Sequence, residues 1–453
     1  MTAPYFEFSS FDHTADFSIV TFHYKTVSEE GKEFSFVETL QFANLPTQPV
    51  NPLTRELINH LYFNLHLILG ISYFKLFLPK QIVIKSGKLT KEQSNFWNTV
   101  YKKGLGEFFY RNQIDFRGLI DFPHTNDNSL TRELVNSLTP NPRVLLGLGG
   151  GKDSLVAADL LKENKIPTTG FIIETASQSK LVENQIKALG LKTIVVKRVL
   201  DPQLVKGVPG AYQGHVPFSA ITAFIGILTA ALYDFKYVAV GNERSADEGN
   251  VEYLGEKINH QWSKSSEFEK LFREYLRENI SENLYYFSIT RPFSELKIAE
   301  LLSKKPVYFK LFSSCNRNFT IAVNKANFSW CGTCPKCAFT FLLLAAFLPK
   351  KKVIDIVVND LLNDPSLIDL YKEMLGEKDT KPFECVGTYD EVKAAFYLVH
   401  KRGEFEDSPI MKFFVSTVLP KIKDPEELVK KELTPTESTT LPEEFRKIIT
   451  STL

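Results

Sequence analysis

The order of apolar and polar positions divides the chain into stretches of different character. Between Tyr5 and Leu45 aromatic and β-branched residues recur at strand-like spacing around a turn at Ser28–Lys32, which predicts a short antiparallel sheet. Asn51–Ile71 and Thr90–Gln113 then place apolar residues three and four apart, the second opening on the helix-start triplet Thr90, Lys91, Glu92. From Arg143 onward strands and helices alternate. Arg143–Gly149 is a continuous apolar run suited to a buried parallel strand, and Asp153–Lys165 reads as a helix. Strand Thr168–Glu174, helix Gln178–Leu189, strand Thr193–Val199, helix Phe218–Phe235 and strand Tyr237–Gly241 follow. Helix Glu267–Asn279, strand Tyr285–Ile289 and helix Ser294–Leu302 extend the same sheet. The pattern predicts an α/β fold with a doubly wound parallel sheet.

The expected divisions are an N-terminal α+β region over 1–141, the α/β domain over 142–312, a cysteine-rich region over 313–349 and a mainly helical C-terminal region over 350–453. The polar segment Asn126–Pro142 marks the first boundary, and Thr434–Thr440 reads as linker. A chain of 453 residues exceeds what one core usually supports, so more than one folded unit is expected.

Charge removes several function classes. With 54 basic against 53 acidic side chains there is no net field to attract nucleic acid or a membrane surface. The uncharged runs Val216–Tyr233 and Phe339–Pro349 are too short or too interrupted to span a bilayer, which takes about 20 apolar residues, and read as buried helices. Asp12, His13 and Asp16 interrupt the first thirty residues, so no signal peptide is expected. Five cysteines, four of them between Cys315 and Cys337, form metal-site clustering and not a spread disulfide framework. The expected compartment is a reducing cytoplasm.

Candidate chemistry begins at Gly147–Ser154, where a buried strand passes into a helix. Glycines there let backbone amides approach an anion, and the helix start favours phosphate. An ordinary P-loop is excluded, because Leu146 stands where its first glycine belongs and Asp153 where its Ser or Thr belongs. After the strand Tyr237–Gly241, Glu243 and Asp247 offer carboxylates to a magnesium–triphosphate complex, and Arg244 a bidentate contact to an anionic substrate. The loop Asn259–Ser265 gathers His260, Trp262 and Lys264 in a substrate-facing arrangement, with Ser265 or Ser266 available as a helix cap. Gly207–Pro217, containing His215, reads equally as a lid or a crossover loop. Cys315, Cys331, Cys334 and Cys337 follow a C-x15-C-x2-C-x2-C pattern that would complete a structural zinc site, although iron–sulfur clusters use close cysteines too. Cys385 stands apart as a buried or substrate-facing thiol.

Gly149, Gly150, Gly151, Lys152, Asp153 and Ser154 resemble the S-G-G-x-D-S signature of the ATP pyrophosphatase, or PP-loop, superfamily, with glycine in place of the first serine. The resemblance implies the adenine-nucleotide α-hydrolase type of sheet, with these residues cradling pyrophosphate and its magnesium. Gly241–Asn250, Asn259–Ser265, Ser314–Asn318, Trp330–Cys337 and Glu384–Gly387 further resemble the UDP-N-acetyl-α-D-muramoyl-L-alanyl-L-glutamate epimerases of peptidoglycan synthesis. That resemblance implies ATP and Mg2+ as requirements, a UDP-N-acetylmuramoyl-dipeptide as substrate, functional coupling to the preceding amino-acid ligase, and an acyl-adenylate whose Cα proton is exchanged. His260, His215, Lys264 and Glu243 are the expected proton-transfer candidates. Competing readings are a 7-cyano-7-deazaguanine synthase-like enzyme, a tRNA-thiolating enzyme and a non-catalytic nucleotide- or zinc-binding module.

Overall fold

The computed structural model describes residues 3–28, 30–46, 52–125, 138–175, 180–319 and 330–450. Residues 126–137 of the expected boundary Asn126–Pro142, Glu29 of the turn Ser28–Lys32, and the first two residues of the expected helix Gln178–Leu189 lie outside them.

Strands β1 (Phe6–His13), β2 (Ile19–Val27), β3 (Glu33–Phe42), β4 (Ile82–Ile84), β5 (Val144–Gly147), β6 (Thr168–Glu174), β7 (Thr193–Val199), β8 (Tyr237–Val240), β9 (Val251–Tyr253), β10 (Glu256–Ile258) and β11 (Tyr285–Ser288) occur in that order. Nine of them form one sheet in the order β11-β8-β5-β6-β7-β3-β2-β1-β4. From β11 to β7 neighbours run parallel. β3 then pairs antiparallel with β7, Thr39–Phe42 lying opposite Val196–Val199, and β2 and β1 continue antiparallel. The expected parallel unit and the expected antiparallel N-terminal strands both occur, but they share one mixed sheet, which corrects the expectation of two: the N-terminal strands lengthen the central sheet. β9 and β10 form a small hairpin of their own.

The burial patterns explain the join. β8 is buried along its whole length and β5 along nearly all of it, as strands covered on both faces must be, whereas β2 and β3 alternate buried with more exposed positions. One face carries the helices Pro52–Phe74, Lys91–Gly104, Phe218–Tyr233 and Ser266–Asn279, packed with aromatic side chains including Phe8, Tyr24, Tyr73, Trp97 and Phe224. The other carries Lys152–Glu163, Glu295–Ser303 and the C-terminal helices Pro335–Ala345 and Tyr389–Arg402. Thr90 begins the helix Lys91–Gly104 with a full capping box to Gln93, as its sequence suggested. No helix among the described residues is long and apolar enough to cross a membrane.

Within the parallel part, the chain runs outward from β5 to β6 and β7, then returns to place β8 and β11 on the other side of β5. The reversal between β5 and β8 is a topological switch point, where open α/β sheets form their ligand crevice.

At the join between the two halves, Arg198 of β7 donates from Nε to Glu38 of β3 at 2.6 Å, and Tyr73 Oη donates to the other carboxylate oxygen at 2.8 Å. Arg198 and Glu38 are buried. Removing one partner would strand a charge in the core, so Arg198→Ala is expected to lower the unfolding free energy by about 3–5 kcal/mol in urea titrations. Glu33→Gln, which breaks only the exposed pair with Lys25, should leave the transition in place.

Candidate active site

The turn after β5 ends on Gly151, which starts the helix Lys152–Glu163 without any side-chain cap, so the first amides of that helix are left to an outside acceptor. Gly150 has φ +86°, a conformation that excludes most side chains, and its carbonyl accepts Gln185 Nε2 at 2.9 Å and Ser313 N at 3.3 Å. Gly241, at the end of β8, lies so close that an added Cβ would come within 2.8 Å of the Asp153 carbonyl oxygen. The residue that follows β8 is thus in close backbone contact with the first turn of the helix that follows β5, at the switch point.

Asp153, Glu243 and Glu295 converge there, each offering an oxygen within 4.8 Å of the others. Lys152 is buried beneath them and donates to Asp153 at 2.6 Å and to Glu295. Burial raises the Glu295 carboxyl, as do Asp153 and Glu243 beside it, against the pull of Lys152. Glu243 is 1% exposed, yet its Oε1 has no hydrogen-bond partner. A buried carboxylate oxygen left open beside two other carboxylates fits a divalent cation.

Asp247, expected beside Glu243, lies elsewhere: its carboxylate accepts Ser266 N at 2.6 Å and Ser266 Oγ at 2.8 Å, holding the start of the helix Ser266–Asn279, while Ser265 caps that helix. Glu295 takes the third acidic place. Arg244, expected to face an anionic substrate, instead reaches Thr434 O at 2.8 Å and Glu432 Oε2 at 2.9 Å, clamping the C-terminal helix Pro425–Leu433. Trp262 is 4% exposed, packs edge-on against Phe268 and donates to Glu267, which makes it a core residue and not a substrate-facing one. Gly207–Pro217 is a crossover tied to the N-terminal half through Lys75 Nζ to Gly214 O and Asn112 Nδ2 to Gln213 O, at 2.8 and 3.1 Å.

Sequence reasoning passed over the residues that hold these groups. Arg291 is buried, pairs with Glu269 at 2.8 Å, and donates to the carbonyls of Glu243 and Lys264 at 2.7 and 2.5 Å. Glu391, from the capping box of the helix Tyr389–Arg402, accepts Ser245 Oγ at 2.5 Å and Glu295 N at 2.6 Å. The signal available for Glu295 was its position in the first turn of the helix that follows a strand of the same sheet.

A second polar group adjoins the acidic one. Lys264 Nζ lies 3.4 Å from Cys385 Sγ and also feels Glu243, Asp153 and Glu295. His260 hydrogen-bonds Glu107 through Nδ1 and is in hydrogen-bonding reach of Cys385, while His215 lies 3.4 Å from the same Glu107 oxygen. Burial would lower His260, but Cys385 and Glu107 raise it to about 9; burial and then His260 push His215 down to about 4. Burial would raise the Cys385 thiol, but Lys264, Lys336 and His260 pull it down to about 6. Glu107, His215 and His260 are spaced closely enough to hold a metal. The shared Glu107 carboxylate accounts for both rings, as the hydrogen-bond partner of His260 and a charged neighbour of His215.

The four clustered cysteines also meet, all sulfurs lying within 4.8 Å of one another. Cys331 and Cys334 stand 3.7 and 3.4 Å from Cys337, close to the ~3.8 Å edge of a tetrahedron with metal–sulfur bonds of about 2.3 Å. The amides of Thr333 and Cys334 point to Cys331 Sγ at 3.4 and 3.3 Å.

Residues 1–289 match the model of the MurL N-terminal domain, and residues 311–429 that of the MurL C-terminal domain. The chain belongs to the MurL family. Among its MurL relatives are proteins named UDP-N-acetyl-alpha-D-muramoyl-L-alanyl-L-glutamate epimerase in Xanthomonas oryzae pv. oryzae, 37% identical over 80% of this chain and 79% of the relative, and in Micromonospora sp., 34% identical over 88% and 87%. The protein of that name in Salinispora tropica is 33% identical over 91% of this chain and 88% of its own. The two matched MurL regions meet at the site, since Glu107, His260 and Lys264 lie in the first and Cys385 in the second.

The charges around Cys385 make a reactivity prediction. Iodoacetamide labelling of Cys385, followed by peptide mass spectrometry, should rise with pH to a midpoint of about 6, because the thiolate is the reacting form above it. In Lys264→Met the midpoint should move up toward the ordinary thiol value of about 8.5.

Proposed function

We propose that this chain is a cytoplasmic, ATP- and magnesium-dependent epimerase that inverts the terminal L-glutamate of UDP-N-acetylmuramoyl-L-alanyl-L-glutamate in peptidoglycan precursor synthesis. The substrate is taken from the names of its relatives. The observation that carries the nucleotide part is the unpartnered, buried Glu243 Oε1 beside Asp153 and Glu295, at the glycine turn of the switch point. A PP-loop reading of Gly149–Ser154 accounts for that arrangement.

The chemistry follows from charge. Taking the Cα proton of a glutamate places negative charge next to an ionised carboxylate, which opposes it. Transfer of AMP to that carboxylate removes its charge and makes an acyl-adenylate with a far more acidic Cα proton; the proton is lost, one is returned on the opposite face, and hydrolysis releases AMP after pyrophosphate has left. Asp153, Glu243 and Glu295 would hold magnesium, which supplies charge neutralisation to the phosphates. Gly149, Gly150, Gly151 and Ser154 would receive the pyrophosphate oxygens on backbone amides and a hydroxyl, with Lys152 setting the charge of the turn from beneath. Because the two epimers are close in energy, ATP lowers a kinetic barrier and makes the step directional. The product is the one required after the ligase that installs L-glutamate. The cysteine group fits structural zinc, fixing the helix Pro335–Ala345 and the chain around Cys315 against the site.

Incubation of the purified protein with the UDP-linked dipeptide, ATP and magnesium in heavy water should give AMP, deuterium at the glutamate Cα and D-glutamate together. Asp153→Asn should abolish AMP formation with an unchanged circular dichroism spectrum, and near-normal turnover in that variant would remove the magnesium role. Elemental analysis of dialysed protein should find one zinc per chain, lost in Cys334→Ser; iron and sulfide in its place would identify a cluster.

A further inference from the structure

The four residues first expected to move the proton do not all suit that task where the fold places them. Glu243 belongs to the acidic group, and Lys264 is held firmly as an ammonium by Cys385 and, after the cost of burial, by Glu243, Asp153 and Glu295. His260 is engaged by Glu107, and His215 stands behind it with its ring centroid 4.8 Å away. Two of them, Lys264 and His260, meet at Cys385.

Cys385 lies partly exposed in a short segment fixed from several sides. Buried Lys381 binds Glu248 at 3.0 Å, Asn250 Nδ2 donates to Pro382 O at 2.9 Å, and Glu384 accepts a hydrogen bond from Asn316. Asn250 Oδ1 in turn accepts His260 N at 2.9 Å, so one asparagine sets both the histidine and the segment that carries the thiol. On its far side the thiol meets the ammonium of Lys264, which extends toward the acidic group with its unpartnered Glu243 oxygen. With one lysine between the thiol and the acidic group at the glycine turn, a substrate adenylated there would bring its carboxyl end toward the thiol, and the Cα is one bond from that carboxyl carbon.

We propose that Cys385, held between His260 and Lys264, is the base that exchanges the substrate Cα proton, an inference that rests on the epimerase reading above. The Cα–H bond breaks, its proton passes to Cys385 Sγ, and the bonding electrons enter the enolate of the acyl-adenylate, whose oxygen faces the Lys264 ammonium. Water or a side-chain acid on the opposite face returns a proton to Cα, so no oxidant or reductant is needed. Glu107 acts as a positioning residue, holding the His260 imidazolium that keeps the sulfur as thiolate. The thiol, flanked by Lys264, Lys336 and His260, is lowered to about 6 and so stands as the basic thiolate at neutral pH.

The test uses Cys385→Ser and Cys385→Ala full-length protein with the UDP-linked dipeptide, ATP and magnesium in heavy water. The expected result is ATP cleavage to AMP and pyrophosphate within a few-fold of the parent, with Cα deuterium and D-glutamate reduced by about 10²–10⁴-fold. Glu107→Gln should lower the exchange rate less and shift its acidic pH limit upward without shifting that of AMP formation. Retention of parent-level exchange in both cysteine variants would overturn the proposal, as would loss of AMP and exchange together in variants with parent-like circular dichroism, which would place Cys385 in adenylation. Absence of AMP with the parent protein would instead sink the underlying epimerase reading.

Discussion

Three carboxylates, two of them buried, cannot lie within 4.8 Å of one another unless positive charge is brought to them, and the architecture around Asp153, Glu243 and Glu295 follows from that constraint. Lys152 is drawn into the interior beneath the group, although a lysine at the start of a helix would ordinarily extend into water. Arg291 approaches from β11 and, already neutralised by Glu269, spends its remaining donors on the carbonyls of Glu243 and Lys264. Glu391 reaches in from the C-terminal region and fixes Ser245 and the amide of Glu295. The acidic group is thus held by side chains from three parts of the chain, each meeting a backbone or carboxylate group of its members.

The same site shows why the N-terminal and C-terminal regions belong to the function and not only to the bulk of the protein. Pairing of β3 with β7 continues the sheet, and the helices that cover the added strands bring Gly106–Arg111 over the crevice, with Glu107 facing His215 and His260. From the other end of the chain, the segment around Cys385 is tied to the loop after β8 by Lys381–Glu248 and Asn250–Pro382. A central α/β unit alone would have the glycine turn but neither the glutamate nor the thiol of the second polar group.

Much of the fold was legible because its signals are local. The parallel strands and their helices alternate at short range, and β6 and β7 occupy the spans their apolar runs predicted. Thr90 read correctly as a helix cap, and of the two serines offered for the later helix Ser265 is the cap, because capping depends on residues three positions apart. The mixed character of the sheet was hidden, since nothing within β3 or β7 states that they are neighbours. Side-chain partners failed for the same reason. Glu243 and Asp247 are four residues apart, yet a turn of 3₁₀ helix sends them to different places, whereas Glu295 arrives from a distant strand end. Arg244 and Trp262 stood in polar, chemistry-rich segments, but such segments also contain the residues that stitch loops together: Asn250 and Asn259 do so here. Cys385 could be singled out as a thiol, but its lysine and histidine lie more than a hundred residues earlier.

The departure of the glycine turn from the serine-led signature has a physical reading as well. Gly150 needs its positive φ, and Gly241 needs its missing side chain because the Asp153 backbone occupies that space. Gly149 is under neither constraint: an added Cβ would meet nothing within 4 Å. The turn is therefore shaped by Gly150 and by the approach of Gly241, and it would keep its form with serine at position 149. What the glycine removes is one hydroxyl from the surface of the turn. Backbone amides of the uncapped helix start and the Ser154 hydroxyl remain, and Ser154 Oγ is already oriented by the Gly151 carbonyl at 3.1 Å. If the turn receives an anion as proposed, fixed backbone dipoles lose little by the absence of one rotatable hydroxyl, because the amides need no reorganisation to meet the charge.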